Sequence, residues 1–240
     1  MKTPQLVRFL EKQLAGPLPG AEAQEKMAPV PRTVPSYSRP EEAAIPSAVL
    51  ILMFPSEDRW FFVLTERSSD VEHHQGQVSL PGGAQEGGES LQQTALRETE
   101  EELGIDSQGV TVLGKLTPLF IPVSGFRVHP FVGWAHGELE MHPDPVEVRS
   151  VHFAPVDQLL DEGLVTRETR EIGGIEIDVP YFQFDTVKVW GATAIILSEF
   201  REIIVQASEK SGLATRRRGV SHSRGGEIKN LIGDVKEDNP

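Results

Sequence analysis

An α/β fold, with a mixed β-sheet held between helical layers, is what the sequence predicts, and three patterns predict it. Continuous apolar runs of strand length, such as 48–54 and 60–65, are interspersed with segments of helical period, such as 91–103 and 190–207. The first two runs are separated only by Pro55-Ser56-Glu57-Asp58, a hairpin distance that makes their strands antiparallel neighbours. The later strands flank helices in an order that places the sheet between them.

Taken in order, residues 5–14 repeat apolar side chains at Leu6, Val7, Leu10 and Leu14, which predicts a short amphipathic cap helix. From Pro17 to Pro46 the chain is punctuated by Pro19, Pro29, Pro31, Pro35 and Pro40 and reads as an extended arm. Residues 1–44 are therefore expected to form an N-terminal helix and Pro-rich arm, 45–207 the folded domain, and 208–240 a disordered hydrophilic tail carrying Arg216-Arg217-Arg218. Within the domain, 77–80 is a short strand. Residues 110–119 and 127–135 are strands around a loop at 121–125, and 151–154 is another. Pro155 starts a helix ending near Gly163, residues 166–184 form a hairpin turning at Gly173-Gly174, and a last helix runs from Trp190 to about Ala207. Trp190 is expected to pack that helix onto the sheet.

Composition bounds the chemistry. The chain has 240 residues, a formal net charge of −13 and no cysteine. Thiol catalysis and zinc–thiolate sites are excluded, and the acidity argues against a nucleic-acid backbone as partner. The N-terminus lacks a secretory pattern and no apolar run approaches membrane-spanning length, so a soluble cytoplasmic protein without a membrane partner is expected.

One stretch, 83–105, carries the reactive groups. Gly87-Gly88 ends a loop, Ser90 is an N-cap with Gln93 three residues on, and Gly104 stops the helix at C′. At about 100° per residue, Glu98, Glu101 and Glu102 share one arc, while Ala95, Leu96, Thr99 and Leu103 occupy the next. Like charges at these spacings disfavour the helix by a few tenths of a kcal/mol per pair, so they call for a cation. Mg2+ or Mn2+ suits carboxylate oxygens, with Gly82 and Gly83 letting a backbone carbonyl, Gly83 first, approach the metal. Arg97 is placed to clamp Glu89 or a metal-bound carboxylate.

The pattern Gly83-x5-Glu89-x7-Arg97-Glu98-x-x-Glu101-Glu102-x-Gly104-Ile105 resembles the Nudix box, with Thr99 where an aliphatic residue is usual. The resemblance implies an α/β/α sandwich around a mixed sheet and metal-dependent cleavage of a nucleoside diphosphate linked to another group. It also implies Glu98, Glu101, Glu102 and the Gly83 carbonyl as metal ligands, Arg97 and Glu89 as support, and Glu98 or Glu147 as proton acceptor. Leu64-Thr65-Glu66-Arg67-Ser68, His74-x-Gly76-Gln77-Val78-Ser79-Leu80-Pro81-Gly82-Gly83, Ile121-Pro-Val-Ser-Gly125, Val128-x-Pro130-Phe131-Val132-Gly133, Val146-Glu147-Val148 and 189–194 are similar to the coenzyme A diphosphatases of that superfamily. This second resemblance implies Arg67, His74, Gln77, Ser124 and Arg127 as substrate contacts. It also implies 4′-phosphopantetheine and adenosine 3′,5′-bisphosphate as products.

Three residues depart from the subgroup: Glu66 for lysine, Glu72 for arginine and Leu80 for phenylalanine. The two carboxylates are expected to weaken recognition of a 3′-phosphate, with Arg67, Arg127 and Lys188 as compensating cations. ADP-ribose or an NADH-type dinucleotide is the alternative substrate, and a non-catalytic nucleotide-binding regulatory domain the alternative class. His73-His74 lacks zinc spacing, and Ser124-Gly125 lacks a nucleophile elbow, so a turn is its simpler reading. A small-molecule nucleotide, and a second copy in a homodimer, are the expected partners.

Overall fold

The computed structural model describes residues 4–31, 40–68, 77–137, 139–172, 174–185 and 187–210. Its centre is an eight-stranded sheet. β1 (Ile45–Ser56) and β2 (Arg59–Arg67) form the expected hairpin, closed at Ser56 opposite Arg59. β3 (Val78–Ser79) continues beside β2. β4 (Gly82–Ala84) lies antiparallel to β1, whose other edge takes β7 (Phe126–Ala135) in parallel, which makes the sheet mixed. β5 (Val110–Lys115) and β6 (Leu119–Ile121) pair with β7, and β8 (Val148–Pro155) pairs with β2. A second sheet holds β9 (Val165–Ile172), β10 (Ile175–Gln183) and β11 (Lys188–Trp190).

Alternation along β1 divides the core. Ala48, Leu50, Leu52 and Phe54 face α3 (Leu91–Leu103), meeting Ala95 and Leu103. Ile51 and Met53 face the opposite layer, where α1 (Gln5–Leu14) and α4 (Gly191–Lys210) bury Val7, Leu10, Phe200 and Ile203. The sheet is thus held between helical layers, as the sequence predicts.

Four details differ from the sequence-based expectation. Part of the stretch read as an extended arm is helical: α2 (Gly20–Glu25) forms, and Ala23, Met27 and Ala28 are buried. Its prolines stand before and after 20–28, so none interrupts the turn. The single strand expected at 110–119 is split into β5 and β6 around Leu116-Thr117-Pro118. The helix expected from Pro155 is two 3-10 turns, Val156–Leu160 and Glu162–Leu164, because Asp161 interrupts them and caps the second through Gly163. Trp190 does not pack α4 onto the sheet. It pairs with Tyr181 across β10 and β11, and the Arg170 guanidinium lies 4.0 Å from its ring centroid, on the face away from buried Phe182 and Val189.

The N-terminal helices are tied to the last one by a buried carboxylate. Glu199 of α4 is fully buried, and its oxygens accept hydrogen bonds from Gly20 N, Gln24 Nε2, Thr117 N and Thr117 Oγ1, the last at 2.7 Å. Saturation by donors is what makes a buried carboxylate tolerable.

α3 is fixed at both ends. Ser90 accepts from Gln93 N while the Gln93 side chain accepts from Ser90 N, a complete capping box. At the other end the His142 and Asp144 N–H groups donate to the Leu103 and Glu102 carbonyls at 2.8 and 3.0 Å. The chain turns between them at Gly104, at φ +62°, where a Cβ would stand 2.3 Å from the His142 carbonyl oxygen. Gly104→Ala combines left-handed strain with a main-chain clash, and we expect it to cost about 2–4 kcal/mol in urea unfolding.

Candidate active site

The site is built where β4 brings two glycines against α3. Gly83 is paired with Ala48 and Gly82 with Val49. At Gly82 (φ +147°) a Cβ would lie 2.2 Å from the Ala48 carbonyl oxygen, and at Gly83 it would lie 2.4 Å from the Glu98 carboxyl carbon. The Glu98 carboxylate therefore rests directly on the Gly83 backbone.

Arg97 organises the groups around it. Its Nε and Nη2 donate to the two Glu89 oxygens at 3.1 and 3.0 Å, a bidentate pair. Nη2 also reaches the Ala84 carbonyl at 3.2 Å and lies 2.9 Å from Glu98, while Nη1 donates to Glu101 at 2.7 Å. Glu89 in turn accepts from Glu86 N and from the buried Thr94 hydroxyl, both at 2.8 Å. Hydrogen bonds from Arg97 first, then from Glu86 N–H and Thr94, hold the Glu89 carboxyl down to about 2. Thr94 went unnoticed in the sequence, where a threonine five residues after Glu89 carries no distinctive signal.

The remaining carboxylates are under electrostatic stress. Glu102 is 5% exposed, and its Oε2 is buried with no hydrogen-bond partner. Burial pushes its carboxyl up to about 8 against the pull of Arg67, and the charges of Glu147 and Glu98 add to the rise. The Gly82 N–H partly offsets it. Glu98 is also raised, mainly by burial, with Arg97 opposing and Glu101 and Glu147 contributing. Glu147 itself is exposed, its carbonyl accepting the Ser68 N–H at 2.9 Å.

Among the described residues, no three carboxylate or imidazole groups already converge as ligands around one point, because Arg97 spans Glu98 and Glu101. The donor set nevertheless fits a hard divalent cation. Glu102 offers a buried oxygen with no partner, Glu98 and Glu102 are both strained as anions, and Glu101 and Glu147 bear on the same corner. Glu98, Glu101, Glu102 and the Gly83 carbonyl are the groups that would hold it.

The structure gathers Gly82, Gly83, Glu89, Arg97, Glu98, Glu101, Glu102, Glu147 and Arg67 at this corner, and Gly104 ends the helix that carries most of them. The Gln77 carbonyl accepts the Arg67 N–H at 3.2 Å, but its side-chain amide lies near Gly191, at the start of α4. Ser124 and Arg127 are not brought in. Ser124 caps its own turn through Phe126 N, and Arg127 lies on β7, on the far side of β1 from β4, paired with Glu41 at 2.9 Å. His74, with Glu72 and His73, lies outside the described residues. A cavity of about 400 Å³ along the outer flank of α3 shares Arg97 and Glu101 with the corner but not Glu98 or Glu102.

The fold and this corner define an α/β protein whose capped helix sets clustered carboxylates against a glycine-lined strand. Comparison with known proteins gives the family. A model described as the NUDIX domain matches residues 44–172, more than half of the chain, and the chain belongs to the Nudix family. Nudix hydrolase 15, mitochondrial, of Arabidopsis thaliana is 37% identical over 182 residues, covering 72% of this chain and 62% of that protein. The chain thus spans just under two thirds of that relative's length. Nudix hydrolase 22, chloroplastic, of the same plant is 34% identical over 222 residues, covering 89% of this chain and 69% of that one. A solved C. elegans Ap4A hydrolase is 20% identical, with 46% of this chain and 80% of that one covered at a TM-score of 0.41.

Two expectations follow. In Gly83→Ala the new methyl displaces only the end of a flexible side chain, so the fold should survive while Mn2+ affinity, read by isothermal titration, falls at least about tenfold through the misplaced Glu98. Because the Glu102 carboxyl is raised above its ordinary 4.5, the folded state favours its neutral form. That contribution is complete below about pH 4.5 and is lost as pH rises toward about 8. The melting temperature of the metal-free protein should therefore fall from about pH 5 to about pH 8, and Glu102→Gln should flatten the fall.

Proposed function

We propose that this protein hydrolyses the diphosphate bond of coenzyme A or its acyl derivatives with the help of Mg2+ or Mn2+. The products are 4′-phosphopantetheine, or its acyl form, and adenosine 3′,5′-bisphosphate. The observation that carries the reaction is the partnerless buried oxygen of Glu102 beside Glu98 and Glu147. A divalent cation held by Glu98, Glu101, Glu102 and the Gly83 carbonyl would supply charge neutralisation of the diphosphate and would lower the pKa of the attacking water. Glu98, raised by burial, or exposed Glu147 takes the proton as the water oxygen bonds to one phosphorus. The P–O bond to the other phosphate breaks in line, and that phosphate leaves with the bridging oxygen. Arg97, locked to Glu89, holds the carboxylates in place throughout.

The substrate rests on the resemblance of 64–83, 121–133, 146–148 and 189–194 to coenzyme A diphosphatases, and the placement of Arg67 beside the carboxylate corner supports it. A second reading, ADP-ribose or an NADH-type dinucleotide, is favoured by the anionic Glu66 where that subgroup carries lysine.

A product-resolved screen of coenzyme A, acyl-coenzyme A, ADP-ribose and NADH with either metal decides among these readings. We expect cleavage of the first two and a loss of at least about a hundredfold in kcat/KM for Glu102→Gln. Faster cleavage of ADP-ribose or NADH would move the assignment to the second reading, and no cleavage of any compound would make the domain a nucleotide-binding one.

A further inference from the structure

A second cavity, of about 440 Å³, opens between α1, the β1–β2 turn, the 3-10 turn Val156–Leu160 and the end of α4. Among its lining residues Val156 and Ile204 are buried, and half-buried Leu6, Phe9, Trp60 and Leu160 pack against the same apolar cluster. α1 gives Val7, Leu10 and Leu14 to the core and turns Leu6 and Phe9, each one residue before a core position, to this groove. Asp58, Arg59 and Asp157 are exposed charges of the rim, and Arg59 pairs with Asp157 at 2.7 Å, so Asp58 leaves the rim net negative. Arg59 and Arg67 are opposite ends of β2, about 26 Å apart at about 3.3 Å per residue, which sets the groove apart from the proposed chemistry.

α4 contributes Ile204 and Ala207 to the groove and ends at Lys210. Residues 211–240, which follow, lie outside the described residues, but their sequence carries two features that fit this groove. The first is a face. Ile228, Leu231, Ile232 and Val235 recur at i, i+3, i+4 and i+7, and at about 100° per residue they fill an arc of roughly 100°. Lys229 and Lys236 fall together on one edge of that arc, and Glu227 and Asp234 fall together on the other. The second feature is charge. Residues 211–240 hold six Lys and Arg against four Asp and Glu, in a chain whose formal net charge is −13, so this segment is cationic and the remainder is more acidic than the whole.

A helix of this length is marginal by itself, more so with Gly233 inside it, and is stabilised by burying its apolar face. The chain from Lys210 to Ile228 reaches up to about 60 Å when extended, while Ala207 and Ser208 of the groove stand within one turn of Lys210. Tethering at that range gives an effective concentration of the order of millimolar, which a partner recruited from solution would have to match. We infer that the groove is the docking site of residues 227–236 of this same chain, with Ile228, Leu231, Ile232 and Val235 entering it as the apolar face of a helix. Lys229 and Lys236 then meet the rim at Asp58 and Asp157. Docked in this way, the segment braces α1 against α4 and the β1–β2 turn from outside.

The chain has no cysteine, so a pair can be introduced cleanly. In the full chain, Gln5→Cys, exposed and among the lining residues, is combined with either Ile232→Cys or Asn230→Cys and treated with a short bismaleimide. Ile232 lies on the apolar arc and Asn230 on the opposite face. The Ile232→Cys pair should cross-link within one chain at least about tenfold faster than the Asn230→Cys pair, whereas a segment that only passes near the groove would give equal rates. Hydrogen exchange supplies a second reading that needs no cross-linker. Leu231→Asp combined with Ile232→Asp changes none of the described residues, yet it should speed exchange of the α1 amides, 5–14, at least about threefold. Equal rates for the two cysteine pairs, or α1 exchange unchanged in the double aspartate variant, would overturn the inference. So would cross-links that join two chains, because the occupant would then be a second copy.

Discussion

The contact between the Gly83 backbone and the Glu98 carboxylate is the constraint on which the site depends. At Gly83 the Glu98 carboxylate of α3 fills the space a side chain would take, and at Gly82 a side chain would strike the Ala48 carbonyl of β1. The capping box fixes where the helix begins, and the His142 and Asp144 N–H groups fix where it ends. Side chains along one flank can then meet Arg97 from one side and Arg67 from the other. A helix fixed at both ends keeps Glu98, Glu101 and Glu102 together although they repel one another.

That repulsion identifies the corner as a place where stability has been given up. A buried carboxylate without a full set of donors is among the more destabilising features a fold retains, and here one stands beside further negative charge. Glu199 makes an instructive contrast. It is at least as deeply buried, yet four donor groups surround it and no other carboxylate is among its partners. One carboxylate is finished by its neighbours and the other is left incomplete, which is what the proposed cation site requires of Glu102.

Local signals made α3 legible in the sequence. Ser90 and Gln93 sit three apart, Gly104 marks the stop, and the spacing from Glu89 to Arg97 to Glu102 brings the charges to one flank through helical period alone. The β1–β2 hairpin was equally readable because its pairing is short-range, and α1 because its own apolar residues repeat at helical period. What escaped depends on distant pairing. The position of Glu66 beside Ser150 and His152 requires β8 to lie against β2, a separation of more than eighty residues. Trp190 looked like a packing residue until Arg170, from β9, was found over its ring. Prolines at 17–46 concealed α2 because their density outweighed the gap between them, and the helix expected from Pro155 ignored the ability of Asp161 to start a new turn.

The buried Glu199 also bears on the order in which the molecule is made. Its partner Gly20 lies 179 residues earlier in the chain, and Gln24 lies 175 residues earlier. On the ribosome α2 therefore emerges long before the carboxylate that will hold it exists, and its contact with α4 must wait for that helix to be synthesised. The α2–Glu199 contact is thus among the last to close, so it reports on completion of the fold instead of initiating it.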